Sequence, residues 1–168
     1  MAWIDLNGPV LADTVYDAGK LVAKDVTITL PAINLLTADF KAMGTLTLPI
    51  IGQIEAMEAT VNKVGTDMGL RSMASLDSRT LEFRWVQDVK KADGSTKTVG
   101  CKAFLRVVTK TIPGLSVDPG SQSENELGYA VSRYQLFVAG NEYWLIDQLN
   151  QILRVGGKDY YKQIRSLL

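Results

Sequence analysis

YQLFVAGNEYWLIDQLNQILRVGGKDYYKQIRSLL, residues 134–168, decides how this chain is read. Two apolar runs flank a tight Ala139-Gly140-Asn141-Glu142 turn, and the strands predicted around it are Gly128–Ala139 and Glu142–Val155. β-formers on either side of a short glycine turn define a hairpin. A second turn, Gly156-Gly157-Lys158-Asp159, leads into a short amphipathic helix over Asp159–Leu168. Nothing in the stretch has the residues of a reaction centre. It reads as a building part.

The rest of the chain repeats the theme. Thr80–Val89 and Lys97–Thr111 predict a second long hairpin, turned at Lys90–Ser95 with the Asp93-Gly94 turn signal. In its first strand Leu81, Phe83 and Trp85 alternate with Glu82 and Arg84, giving one apolar and one polar face. Ile112–Leu127, rich in Pro, Gly, Ser and Asx, reads as a long loop. Thr66–Leu76 predicts a helix capped by Thr66, with Asp67 in its first turn and a stripe of Leu70, Met73, Ala74 and Leu76. Alternation in Ile54–Val64 favours a strand, and Gly44–Ile51 is strand-like with Pro49 pointing to an edge. Ile33–Met43 shows no clean period. Thr14–Tyr16 and Leu21–Leu30 predict strands around Asp17-Ala18-Gly19-Lys20, and residues 1–12 read as an arm. The expected fold is a single mainly β (α+β) domain over residues 1–168. Two packed antiparallel sheets would form a barrel or sandwich, with one internal helix and a short C-terminal one.

Composition narrows the function. Lys plus Arg and Asp plus Glu number 18 each, so there is no basic excess for dedicated nucleic-acid binding or for recruitment to a membrane surface. The chain has no histidine, which removes the commonest general base and transition-metal ligand. Its one cysteine, Cys101, excludes an internal disulfide and sits in a strand-like run. Glu55 with Glu58, and Asp147 with Glu142, are candidate carboxylate pairs, but their spacing alone makes no catalytic site. No Gly-Lys-Ser/Thr motif follows Gly65–Gly69 or Gly114–Gly120, so phosphate cradling has no support. Trp85 and Trp144 lie in apolar strands and suit core packing. No apolar run approaches the ~18 residues of a membrane span, and no signal peptide is visible.

Strand length adds a physical clue. Strands of about 10–14 residues span roughly 33–46 Å, as wide as a compact domain of this size. Such strands leave long unpaired edges, which invite pairing with another chain. Closure through a ring of subunits removes those edges.

The order of elements resembles the major tail tube proteins of contractile-tailed bacteriophages and phage-tail-like bacteriocins. The residues that carry the resemblance are Tyr134, Gly140, Ile146-Asp147, Asn150, Gly157 and Asp159 at the end, and Asp17–Lys20 followed by Val26-Thr27-Ile28-Thr29-Leu30-Pro31 at the start. Where the family carries a short basic run after Leu-Pro, this chain has Ala32-Ile33-Asn34-Leu35-Leu36. The resemblance implies a structural protein, not an enzyme, with no cofactor and no metal. It would form homohexameric rings that stack into an inner tube within a sheath. That tube would be a conduit for tape-measure protein or for DNA as transient, non-specific cargo. Sheath, tape-measure, baseplate and tail-terminator proteins would be its partners. The place implied is a virion or tail-like particle, made in the bacterial host cytoplasm, with no membrane role. Within that picture an inter-ring loop is expected at about 32–48, carried by Ile33, Leu35, Leu36, Phe40 and Met43. The polar strand face, with Glu82, Arg84, Lys102, Arg106, Arg133 and Gln135, is expected to line the channel. The alternatives are a small β-barrel module or enzyme with a ligand in the barrel mouth, or a tube protein of a non-contractile tail or type VI secretion system.

Overall fold

Period-two alternation shapes most of the computed structural model, which describes residues 5–168. Its elements are β1 (Leu6–Asp17), β2 (Lys20–Lys24), β3 (Thr27–Thr29), β4 (Leu35–Lys41), β5 (Thr45–Ile54), β6 (Met57–Val64), α1 (Met68–Met73), β7 (Arg79–Lys90), β8 (Thr96–Thr111), β9 (Glu124–Val138), β10 (Asn141–Asp147), β11 (Ile152–Val155), β12 (Lys158–Asp159) and α2 (Lys162–Leu167). The fold is mainly β with two antiparallel sheets and a short C-terminal helix, as expected. The larger sheet has ten strands in the order β12-β11-β10-β9-β8-β7-β1-β2, with β6 and β3 branching from β9. The smaller sheet is the β4–β5 hairpin.

One face of the large sheet curls around the core. Val15, Ala23, Met57, Val61, Leu81, Phe83, Leu105, Leu127, Tyr129, Tyr134, Ile146 and Leu153 come from eight different strands and pack into one buried cluster. Leu70 and Met73 of α1 join them, and Trp85 and Trp144 lean on the edge. The helix approaches β2 so closely that a Cβ at Gly69 would lie 1.9 Å from the Val22 carbonyl oxygen, so only glycine fits there.

Strand β9 carries the topology. Its first half pairs with β6 and its second with β10 on one edge, while β8 runs along the other. The buried residues change parity within it, from Leu127, Tyr129 and Val131 to Tyr134 and Leu136. An extra residue, Ser132, makes the switch: Arg106 pairs with Arg133 while Val107 pairs with Val131. The Ser132 carbonyl, freed from the ladder, accepts a hydrogen bond from Gln148 N at 3.1 Å.

Several boundaries differ from expectation for local reasons. Strand β1 begins at Leu6 and pairs with β7, so it runs through much of the expected arm, whose first four residues lie outside the described residues. Leu21–Leu30 is broken at Asp25, which has φ 53°, into β2 and β3. The helix cap is Asp67, not Thr66: its carboxylate accepts from Leu70 N at 3.0 Å. Leu76 is exposed and belongs to no apolar stripe. The loop expected over Ile112–Leu127 ends where β9 starts at Glu124. Polar Asn125 is fully buried there, its amide donating to the Gly65 carbonyl at 2.9 Å. Glu142–Val155 is two strands, not one. Asp147 turns the chain by accepting from Leu149 N and Asn150 N, both at 3.1 Å, and Gln151 takes φ 55°. The expected turns at Ala139-Gly140 and Gly156-Gly157 are present, all four residues having positive φ.

The end of α1 is fastened by Arg79. Its guanidinium donates to the carbonyl of Met73, which the helix end leaves without an intrahelical partner, and to those of Ser75 and Asp77 in the turn that follows. Nε lies 3.2 Å from Asp17 Oδ2 as an ion pair, at an angle that makes no hydrogen bond. The guanidinium also sits 5.8 Å from the ring centre of Tyr129. The Tyr129 hydroxyl donates to the Met73 carbonyl at 2.9 Å, and burial pushes its pKa up. Thr109 donates to the Ser75 carbonyl at 2.6 Å, so four strands grip one helix end.

Replacing Arg79 with Ala strands the Asp17 carboxylate and these carbonyls, and costs about 3–5 kcal/mol. Urea unfolding of the unassembled chain measures it. Arg79→Lys recovers little, because one ammonium nitrogen lacks the planar spread of donors that reaches three carbonyls and Asp17 from separate nitrogens. A loss below about 1 kcal/mol for Arg79→Ala would show that water replaces the clasp.

Candidate functional site

Two surfaces stand out, and neither resembles a catalytic centre. The first is the outward face of the large sheet. Cross-strand register sets the expected channel residues in three adjacent rows. Arg84, Lys102, Phe137 and Glu142 form one row, and Glu82, Phe104, Gln135, Leu145 and Arg154 the next. Thr80, Arg106, Arg133, Asp147 and Ile152 form the third. All six residues chosen from sequence thus share one face, and the Ser132 bulge puts Arg133 and Gln135 there.

Most charges on this face are paired. Arg84 Nε donates to Glu82, and its guanidinium lies 4.3 Å from the Tyr16 ring centre. Arg154 Nε donates to Glu142 Oε1 at 2.6 Å, and Gln135 Nε2 donates to Glu142 Oε2 at 2.9 Å. Arg133 Nε stands 3.7 Å from Asp147 Oδ2. Among the described residues, Lys102 and Arg106 have no carboxylate within 4.0 Å. Phe104 and Phe137 meet edge-on at 5.9 Å in the middle of the polar rows.

Glu142, Asp147 and Arg154 were missed as members of this face. The signal was hidden because the register shifts between Glu142 and Trp144 and the strand breaks after Asp147. Neither proposed carboxylate pair is a pair: Glu58 bonds Lys110, while Glu142 and Asp147 each face an arginine. Among the described residues no three His, Cys, Asp or Glu side chains cluster to hold a metal ion. Cys101 is buried in β8, and burial raises its thiol pKa, so it is a packing residue rather than a nucleophile.

The second surface is the β4–β5 hairpin, which stands off the body. Over seven residues it reaches roughly 23 Å at ~3.3 Å per residue. It is amphipathic in a way the sequence reading missed. Phe40 pairs with Leu46 and Ala38 with Leu48, and Leu36 and Ile50 extend that side. Asp39 opposite Thr47 and Lys41 opposite Thr45 make the other side, where the Thr47 hydroxyl donates to Asp39 at 2.7 Å. The strict alternation of Leu36–Lys41 and of Thr45–Ile50 was the legible signal. Met43, at the tip, is wholly exposed. The five expected contact residues therefore divide. Leu36, Phe40 and Met43 are exposed, whereas Ile33 and Leu35 pack against the chain's own core.

The hairpin root is tied to the C-terminus. The edge of the Tyr161 ring packs against Gly52, where a Cβ would come within 2.0 Å of it. Arg165 donates to the Gln151 carbonyl at 2.7 Å and to Asp159 at 2.8 Å.

Long strands, a paired-charge sheet face and a projecting apolar hairpin suit a structural protein. The comparison with known families agrees: the family model for phage tail tube protein FII matches residues 12–168, nearly the whole chain. The chain belongs to that family, a family of structural proteins, and is a tail tube protein of the virion. No curated protein matches it. No helix of the described residues is long and apolar enough to cross a membrane.

The Glu142 pair sets a pH response. The Arg154 guanidinium, helped by Gln135, holds the Glu142 carboxyl below its ordinary 4.5. The unfolded chain therefore takes up this proton more readily than the folded one. The stabilisation is complete above pH 4.5 and is lost as pH falls through the depressed folded value. Thermal melts of unassembled subunits between neutral and acid pH should show the decline, and Glu142→Gln should flatten it. A Gln variant with an unchanged acid slope would assign the loss to other carboxylates.

Proposed function

We propose that this chain assembles into homohexameric rings that stack into the inner tube of a contractile phage tail or tail-like bacteriocin. The rings surround a conduit for tape-measure protein or DNA and are surrounded by sheath. The observation that carries this reading is the amphipathic β4–β5 hairpin, which projects an apolar face that its own subunit leaves uncovered. Such a face is a liability in a lone molecule and an interface in an assembly. The hairpin and the residues before it, about 32–48, join stacked rings, and the tube ends meet baseplate and tail-terminator proteins.

The outward face of β7, β8 and β9 lines the channel. Its carboxylates neutralise most of its arginines, so it is wet without a strong charge for trapping a polyanion. The start of β1, which β2 leaves uncovered, and the ends of β8, which overhang β9 at one end and β7 at the other, offer backbone groups for a neighbour, and a ring satisfies them by symmetry.

Replacing both Leu36 and Phe40 with Ser should leave the subunit folded and block tube growth, read by circular dichroism and negative-stain microscopy. Leu35, the obvious partner from sequence, is unsuitable because it packs on the core. Normal-length tubes from the double variant would overturn the role of the hairpin.

Thiol labelling checks the channel face. Cysteine at Arg84 or Lys102, in a Cys101→Ala background, should resist a bulky reagent in long tubes and react with a small one. Rapid labelling by the bulky reagent would put this face outside.

A further inference from the structure

The hairpin has a complementary feature elsewhere on the same molecule. A groove of about 580 Å³ opens at its root, between Ile33, Leu35 and Ile51 on one side and Trp144, Val155 and Tyr160 on the other. Among the described residues no charged or amide side chain lines it. Its size falls within the ~300–1,000 Å³ of sites that bury a compact ligand, but such sites also carry convergent polar groups that orient the ligand. The side-chain polar groups of its lining are the Trp144 ring N–H, buried without a partner, and the Tyr160 hydroxyl, too few to orient a compact ligand, which argues for an apolar side chain. We infer that the groove receives the hairpin tip, Phe40 and Met43, of a second copy of this chain.

Three observations commit the site to that occupant. The chain belongs to a tube-forming family, so copies of itself are its nearest neighbours. An apolar knob and an apolar hole at different places on one molecule make a heterologous contact, which does not close on itself and propagates as an open stack. The area is also adequate. Leu36, Phe40, Met43, Leu46, Leu48 and Ile50 are exposed and bring on the order of 650 Å², near the ~800 Å² each partner gives a standard interface. The groove is built partly from Ile33 and Leu35, so these two contact residues act as the receiving wall while Phe40 and Met43 are inserted. Tyr161 on Gly52 holds knob and hole in a fixed relation, since it braces β5 against the segment that carries Tyr160.

This inference rests on the tube reading and is tested separately from it. Tubes of Met43→Cys/Tyr160→Cys, in the Cys101→Ala background, are oxidised and run on a denaturing gel. Each copy then carries one donor and one acceptor, so a ladder running well beyond dimer is expected. Each single variant should stay monomeric. Met43→Cys/Val155→Cys serves as a second acceptor geometry, and a ladder from either pair supports the contact. Well-formed tubes with no ladder from either pair, and with the thiol introduced by Tyr160→Cys open to a bulky reagent, would overturn it. In that case the tube reading stands and the groove belongs to another partner. Covalent dimers from Met43→Cys alone would place two tips together and also overturn it. Failure of the unmodified chain to form tubes at all would remove both readings.

Discussion

Strand β9 has three neighbours and only two edges, and the whole molecule is arranged around that constraint. It serves β6 with its first half, β10 with its second and β8 along the opposite edge. The chain must bend where one neighbour gives way to the other. A regular strand bent there would keep its parity, and Tyr134 and Leu136 would face solvent while Arg133 and Gln135 entered the core. The inserted Ser132 prevents this. It turns both apolar halves inward and leaves one continuous polar face outside. The freed carbonyl is taken up by Gln148, so the bulge leaves no buried acceptor unpaired.

That continuous face and the hairpin have opposite characters, and the division follows from their partners. Most of the charges on the sheet face, Lys102 and Arg106 apart, are satisfied within the subunit, so it gains little from binding anything firmly. The hairpin satisfies its own backbone across two strands and keeps its apolar side chains unsatisfied. Hydrophobic association is non-directional, but a rigid hairpin braced by Tyr161 on Gly52 gives it a direction. The Arg79 clasp does similar service at the other end of the core, where it ties a short helix to four strands without lengthening the helix.

Much of this was legible in the chain. The Ala139-Gly140 and Gly156-Gly157 turns, the Asp93-Gly94 turn and the alternation of Leu81–Trp85 pointed to a mainly β protein. They did so because turn chemistry and side-chain period are local properties. That Glu82 and Arg84 share a face opposite Leu81 and Phe83 was legible for the same reason, whereas Arg133 and Gln135 join that face only through the Ser132 bulge. The hairpin's amphipathic pattern was just as local, but a reading dominated by the irregular Ile33–Leu35 lead-in obscured it.

What only the tertiary structure decided is long-range. Asn125 reads as a loop residue, and its place in a strand depends on the Gly65 carbonyl sixty positions away. The break after Asp147 depends on backbone N–H groups that the carboxylate captures once the chain turns. Leu35 and Leu36 are identical neighbours in sequence, yet one packs on the core and the other meets solvent. The sequence by itself determined strands, turns and the two faces of each strand, because these arise from residue order over a few positions. Which faces are covered, and which apolar residues remain for another copy, depends on three-dimensional neighbours. Burial is a property of the packed chain, so it was settled only by the fold.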